Sequence, residues 1–109
     1  MDKIMEIQNV ASDIRRLLSS NPGLIKKIGI FGSLARGDHN DISDIDILVE
    51  HNMTSAFEMM FFTNYCELCN QICETLTEIY QRKVDIVHFE NGSLSHLFDS
   101  NIEKEVFWL

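Results

Sequence analysis

Ile4, Ile7, Ala11, Ile14 and Leu18 recur at steps of three and four, with Val10 and Leu17 beside them. That period predicts an amphipathic helix over residues 3 to 20. Asn21-Pro22-Gly23 ends it, since each of these residues favours a turn over continued helix. Leu24 to Phe31 is short, apolar and rich in isoleucine, which predicts a strand running into Gly32-Ser33. Residues 37 to 43 are polar and turn-forming and read as a loop. Ile45 to Val49 predicts a second strand, Thr54 to Gln81 a long helix, and Val84 to Phe89 a third strand bounded by Asn91-Gly92. Residues 93 to 108 are expected to hold one or two short helices, with Ile102, Val106 and Leu109 along one side.

The long helix is apolar over more than one stripe. Phe62, Cys66, Cys69, Cys73, Leu76 and Tyr80 form one row, and Phe61, Tyr65, Leu68, Ile72 and Ile79 form the next. A surface helix needs an apolar face of only about 100°. Two accounts fit the excess: a helix held between the sheet and a second helix, or one partly covered by another protein chain.

Composition narrows the class. The 109 residues suit one domain with its own core, and no stretch approaches the length of a membrane span. Polar residues interrupt the N-terminus too often for a signal peptide. The three cysteines, Cys66, Cys69 and Cys73, are odd in number and crowded on one helix, which argues against a disulfide framework and for the reducing cytoplasm. Their spacing suits a buried stripe better than a zinc site. The formal net charge of −8 repels a phosphate backbone, so direct nucleic-acid binding and template-directed polymerisation are not expected. Nucleotide binding remains open if a divalent cation stands between the two.

Four local features carry chemistry. Gly32-Ser33 follows a strand and opens a helical turn through Arg36. Glycine permits close backbone approach, serine is a favourable N-cap, and a helix start presents unpaired N–H groups, so the segment is a candidate phosphate cradle. Asp44-Ile45-Asp46 opens the second strand. Alternation sends Ile45, Ile47 and Val49 to one face and both carboxylates to the other, where like charges persist most cheaply beside a cation such as Mg²⁺. Asp85 interrupts the third strand within Lys83-Val84-Asp85-Ile86-Val87 and reaches the same site if that strand lies beside the second. Arg36 could bind triphosphate oxygens. Each piece has an ordinary alternative as a turn, a solvated strand end or a surface charge. His39, in the loop between cradle and acids, reads as a solvated histidine, and His51, His88 and His96 share no metal or triad spacing.

Gly32-Ser33, ten residues, then Asp44-Ile45-Asp46 resembles the Gly-Ser-x10-Asp-x-Asp motif of the minimal nucleotidyltransferases, in the DNA polymerase beta-like superfamily. The wider strings, residues 32 to 38 and 43 to 49, are similar to that family's usual wording. Asp85 falls where its third acid is expected. The resemblance spans about residues 24 to 89. It implies an α/β (α+β) fold, a small mixed, twisted sheet backed by helices. It also implies that Asp44, Asp46 and Asp85 bind Mg²⁺, and that Gly32, Ser33 and the neighbouring backbone hold the phosphates of a nucleoside triphosphate. Asp85 would further assist deprotonation of an acceptor hydroxyl that attacks the α-phosphorus.

Larger members of the superfamily add domains for the acceptor, whereas this chain spends nearly all its length on the catalytic core. A partner is therefore expected to supply the acceptor surface. Proteins of this size resemble the antitoxin half of toxin–antitoxin systems whose toxin is an all-helical HEPN ribonuclease. The resemblance implies a hetero-oligomer in which AMP passes from ATP to a tyrosine of that toxin. The rivals are a subunit that neutralises its partner by contact alone, and a nucleotidyltransferase acting on a small molecule such as an aminoglycoside.

Overall fold

The computed structural model describes residues 5–40, 42–51, 58–89 and 105–109, without the side chains of residues 58, 59 and 61. The elements run α1 (Ile7–Ser19), β1 (Ile25–Phe31), α2 (Gly32–Arg36), β2 (Ile45–His51), α3 (Glu58–Tyr80), β3 (Val84–Phe89) and β4 (Phe107–Trp108). The four strands form one sheet in the order β3-β2-β1-β4. β1 and β2 pair antiparallel, β2 and β3 parallel, and β1 and β4 antiparallel. The parallel pair requires a crossover, and α3 is that crossover.

Alternation along β2 decides what lies on each side of the sheet. Ile45, Ile47 and Val49 are fully buried with Ile28 and Ile30 of β1. They pack against Val10, Ala11 and Ile14 of α1 and Tyr65, Leu68, Cys69, Ile72, Leu76 and Tyr80 of α3. The period of α1 is the cause: Val10, Ala11, Asp13 and Ile14 share the stripe that meets this core. The opposite side, which carries Asp46, also holds a smaller cluster of Leu48, Phe89, Phe31, Val87, Val106 and Trp108. The acid-bearing face is thus apolar in its middle, with Asp46 at one end of β2 and the buried Glu50 at the other.

Helix α3 packs on α1 as well as on the sheet, so the account of a helix held between sheet and helix covers most of its apolar excess. Tyr65, Leu68, Cys69, Ile72, Leu76 and Tyr80 face inward, while Cys66 and Cys73 sit at the margin. Met60 (74% exposed) and Phe62 (54% exposed) do not reach the core. All three cysteines are free.

The C-terminus departs from expectation. Phe107–Trp108 form a strand where a helix was expected, and residues 93–104 lie outside the described residues. Tertiary pairing explains the departure. Gly29 stands opposite Trp108, and a Cβ there would collide with Val106 and the indole, so only glycine lets the two strands close. Leu109 then donates its N–H to the carbonyl of Ile28 at 2.9 Å. Trp108 packs near Phe89, and the ammonium of Lys27 lies 4.6 Å from the indole centroid. Lys26 and Lys27 are exposed.

Candidate active site

β2 and β3 begin together, with the N–H of Ile45 donating to the carbonyl of Lys83 at 2.9 Å. From that start the register pairs Ile45 with Val84 and Asp46 with Asp85. Paired residues of parallel strands share a face, so Asp85 lies on the side of Asp46, opposite the helices. Asp44 immediately precedes β2.

Asp46 feels both neighbouring acids. Its pKa is raised, first by burial, then by the negative charges of Asp85 and Asp44. The positive charges of Arg36 and Lys83 pull it back. The charges of Asp85 and Asp44 thus both bear on Asp46 at the leading edge of the sheet. Among the described residues no three His, Cys, Asp or Glu groups are gathered into a ready-made metal cage. Mg²⁺ does not need one, since it binds through one or two carboxylates and completes its octahedron with water and phosphate oxygens. A carboxyl whose pKa is raised by burial and by neighbouring negative charge suits such an ion.

Gly32 approaches these acids from the end of β1. Its φ of +75° is a left-handed conformation, and a Cβ there would strike the carboxylate of Asp46. Ser33 is placed differently from the sequence expectation. It is the second residue of α2, and the N-cap is Phe31, whose side chain makes no cap bond. The carbonyl of Ser33 closes the helix by accepting from Gly37 and Asp38. First-turn amides of a helix have no intrahelical acceptor. They are the candidate phosphate cradle, and Gly32 brings them up to the acids.

Arg36 is close enough to influence Asp46, yet its guanidinium is occupied. It donates from Nε to Asp38 at 3.2 Å and from Nη1 to Glu105 at 3.5 Å. The loop before Asp44 is fixed by Asn40: Ile42 N–H donates to Oδ1 at 2.9 Å, and Asn40 N–H donates to Ser43 Oγ at 2.8 Å. That turn leaves Ile42 exposed beside the acids. His39 is half-buried, with Nδ1 withdrawn from solvent, so it is not the solvated histidine expected of a loop.

Two residues near the site were not singled out by sequence reasoning. The Nζ of Lys83 is 3.6 Å from Oδ1 of Asp85. Its signal was present, because positions 83 and 85 share a face by alternation. Cys73 of α3 feels the charge of Asp85, which joins burial in raising its thiol pKa. Burial also pushes the Cys69 thiol up to about 11, so it is protonated at neutral pH. Toward the other end of β2 and β3, His51 and His88 flank Tyr65, whose hydroxyl shares a 2.6 Å hydrogen bond with His88 Nδ1. Burial and His51 lower the pKa of His88. Spacing gave no hint of this cluster, and His96 lies outside the described residues.

Residues 11–108 match the sequence pattern of the family described as "Nucleotidyltransferase domain". Two proteins of Methanocaldococcus jannaschii, each named a putative protein adenylyltransferase, are similar to this chain. One is 36% identical over 84% of this chain and 85% of its own. The other is 33% identical over the full length of both. A crystal structure of a putative nucleotidyltransferase from Sulfolobus solfataricus superposes with a TM-score of 0.54 at 24% identity. The match covers 94% of this chain and 78% of that one and demonstrates the shared fold.

Proposed function

The chain belongs to the Nucleotidyltransferase domain family and is a nucleotidyltransferase, and from that premise we propose that it transfers AMP from ATP to a hydroxyl of a partner protein. The observation that carries this reading is the register Asp46–Asp85, with Gly32 set against the Asp46 carboxylate. It supports a nucleotide whose phosphates lie between the first turn of α2 and the acids.

In this reading Asp44, Asp46 and Asp85 hold Mg²⁺, while Gly32, Ser33 and the backbone after them bind the β- and γ-phosphates. Mg²⁺, when bound, supplies positive charge at the α-phosphate and to the departing pyrophosphate. Asp85 takes the proton of the acceptor hydroxyl. The acceptor oxygen bonds to the α-phosphorus as the α–β phosphoanhydride P–O bond breaks, and pyrophosphate leaves. Arg36 joins the phosphates only by giving up Asp38 or Glu105. The residues contribute position and fixed charge, with no covalent enzyme intermediate.

The acceptor belongs to another molecule. The chain has two tyrosines, Tyr65 and Tyr80, and they are 3% and 4% exposed. Both hydroxyls are engaged, with His88 and Asp13 respectively. Relatives named as protein adenylyltransferases favour a protein acceptor over a small molecule. The motif resemblance favours an all-helical HEPN toxin carrying the modified tyrosine, which this chain silences as its antitoxin. Met60 and Phe62, exposed on α3, offer apolar contact to such a partner. The proposed setting is the cytoplasm; no helix among the described residues is long and apolar enough to cross a membrane.

The test is intact-mass measurement of the co-purified partner after incubation with Mg²⁺ and each nucleoside triphosphate. A gain of one or more AMP units from ATP, abolished in the Asp44→Asn/Asp46→Asn double variant, is expected. If that variant still neutralises the partner and the wild type adds no mass, neutralisation is by contact and the transferase reading fails.

A further inference from the structure

Lys83 is the last residue before β3, and its carbonyl accepts the hydrogen bond that starts the pairing of β2 with β3. Its position beside Asp44 and Ile45 is therefore set by backbone, whatever the side chain does. The ammonium is 3.6 Å from Asp85, one of the three acids. A triphosphate brings more negative charge than one divalent ion neutralises, and the acids add their own. Two positive side chains, Arg36 and Lys83, act on Asp46. Arg36 is already shared between Asp38 and Glu105, both outside the acidic trio. The ion pair of Lys83 is with a carboxylate that metal binding would claim. It is also exposed, and exposed pairs contribute little to stability, so exchanging it costs little.

Building on the transferase reading, we propose that Lys83 is a phosphate-binding residue of the site, its ammonium passing from Asp85 to oxygens of the donor nucleotide once Asp85 is engaged by metal. The side chain then plays two successive parts. In the metal-free protein it screens Asp85 from Asp46 and Asp44. In the loaded protein it adds positive charge beside the phosphates, where a flexible ammonium can follow the charge toward pyrophosphate.

The experiment compares Lys83→Met and Lys83→Arg with the wild-type chain by direct binding of α,β-methylene-ATP at saturating Mg²⁺. Mn²⁺ binding without nucleotide is followed in parallel by electron paramagnetic resonance. Lys83→Met should weaken binding of the analogue roughly ten- to hundredfold, the loss typical of a charge-assisted contact. Lys83→Arg should recover most of it. Mn²⁺ affinity without nucleotide should hold or rise in Lys83→Met, because a competing cation has been removed. Wild-type affinity of Lys83→Met for the analogue would overturn the proposal. So would a parallel fall in Mn²⁺ affinity, which would reduce Lys83 to a prop for Asp85. If the wild-type chain itself does not bind the analogue with Mg²⁺, the transferase reading falls first, and the two failures are told apart.

Discussion

Asp13 and Asp46 are both aspartates drawn out of water, and their surroundings differ in kind. Asp13, 2% exposed on α1, accepts a 2.6 Å hydrogen bond from the Tyr80 hydroxyl and one of 3.1 Å from Arg16. Asp46 is half-buried against the pressed-in backbone of Gly32 and faces two further carboxylates. The first acid has been given donors, so its charge helps to join α1 to the end of α3. The second has been given like charges, an arrangement that weakens the fold unless a ligand arrives. A charge supplied with donors serves architecture, whereas carboxylates set against one another are where the proposed function puts a cation and its phosphate cargo.

The sharpest way to break this contrast is Asp46→Asn. Transfer to the partner, read by intact mass under initial-rate conditions, should fall by on the order of 10³-fold. Near-normal transfer would remove Asp46 from the reaction. Gly32→Ala comes next. Its left-handed φ and the adjacent Asp46 carboxylate leave no room for a methyl group, so it should cost about 1–3 kcal/mol of stability. Displacement of the cradle should lower transfer by about 10²-fold. Chemical denaturation and initial rates on one preparation separate the two effects.

Tyr80→Phe probes the other member of the comparison. Removing the hydroxyl from Asp13 should lower unfolding free energy by about 1–3 kcal/mol, measured in urea, while the rate constant for transfer stays near that of the wild type. A large kinetic loss with little change in stability would mean that Asp13 and Tyr80 serve the site and not the scaffold.

The smallest effect has the most telling sign. Because Asp46 has a folded pKa above its unfolded value, its ionised form destabilises the metal-free fold, fully so above the raised pKa. As pH falls below that value the folded chain takes up the proton first and the cost disappears. Asp46→Asn should therefore stabilise the metal-free protein at neutral pH, by less than about 1 kcal/mol given its exposure. The gain should shrink as pH drops through the raised pKa toward the ordinary carboxylate range. Thermal melts in chelator across pH would show it, and added Mg²⁺ should reverse the ranking by stabilising only the wild type. A variant less stable than wild type at neutral pH would mean that the like charges are not felt.

Much of this was legible in residue order because the relevant physics is local. Period-two alternation around Ile45, Ile47 and Val49 fixes which way Asp46 faces, and the three-and-four spacing of Val10, Ala11 and Ile14 fixes the buried side of α1. Gly32 could be assigned to a close approach because only an absent Cβ permits one, and Asp85 because an acid inside an apolar strand needs a reason. What stayed hidden depends on partners distant in the chain. That Phe107 and Trp108 form a strand was decided by the vacancy at Gly29, far earlier in sequence. Arg36 is held by Glu105, Asp13 is satisfied by Tyr80, and His88 meets Tyr65 only because α3 returns across the sheet. Side-chain alternation and helical period are properties of neighbouring residues and can be read in a row. Pairing, burial and the company a charge keeps are properties of the folded chain, since they exist only once remote segments have been brought into contact.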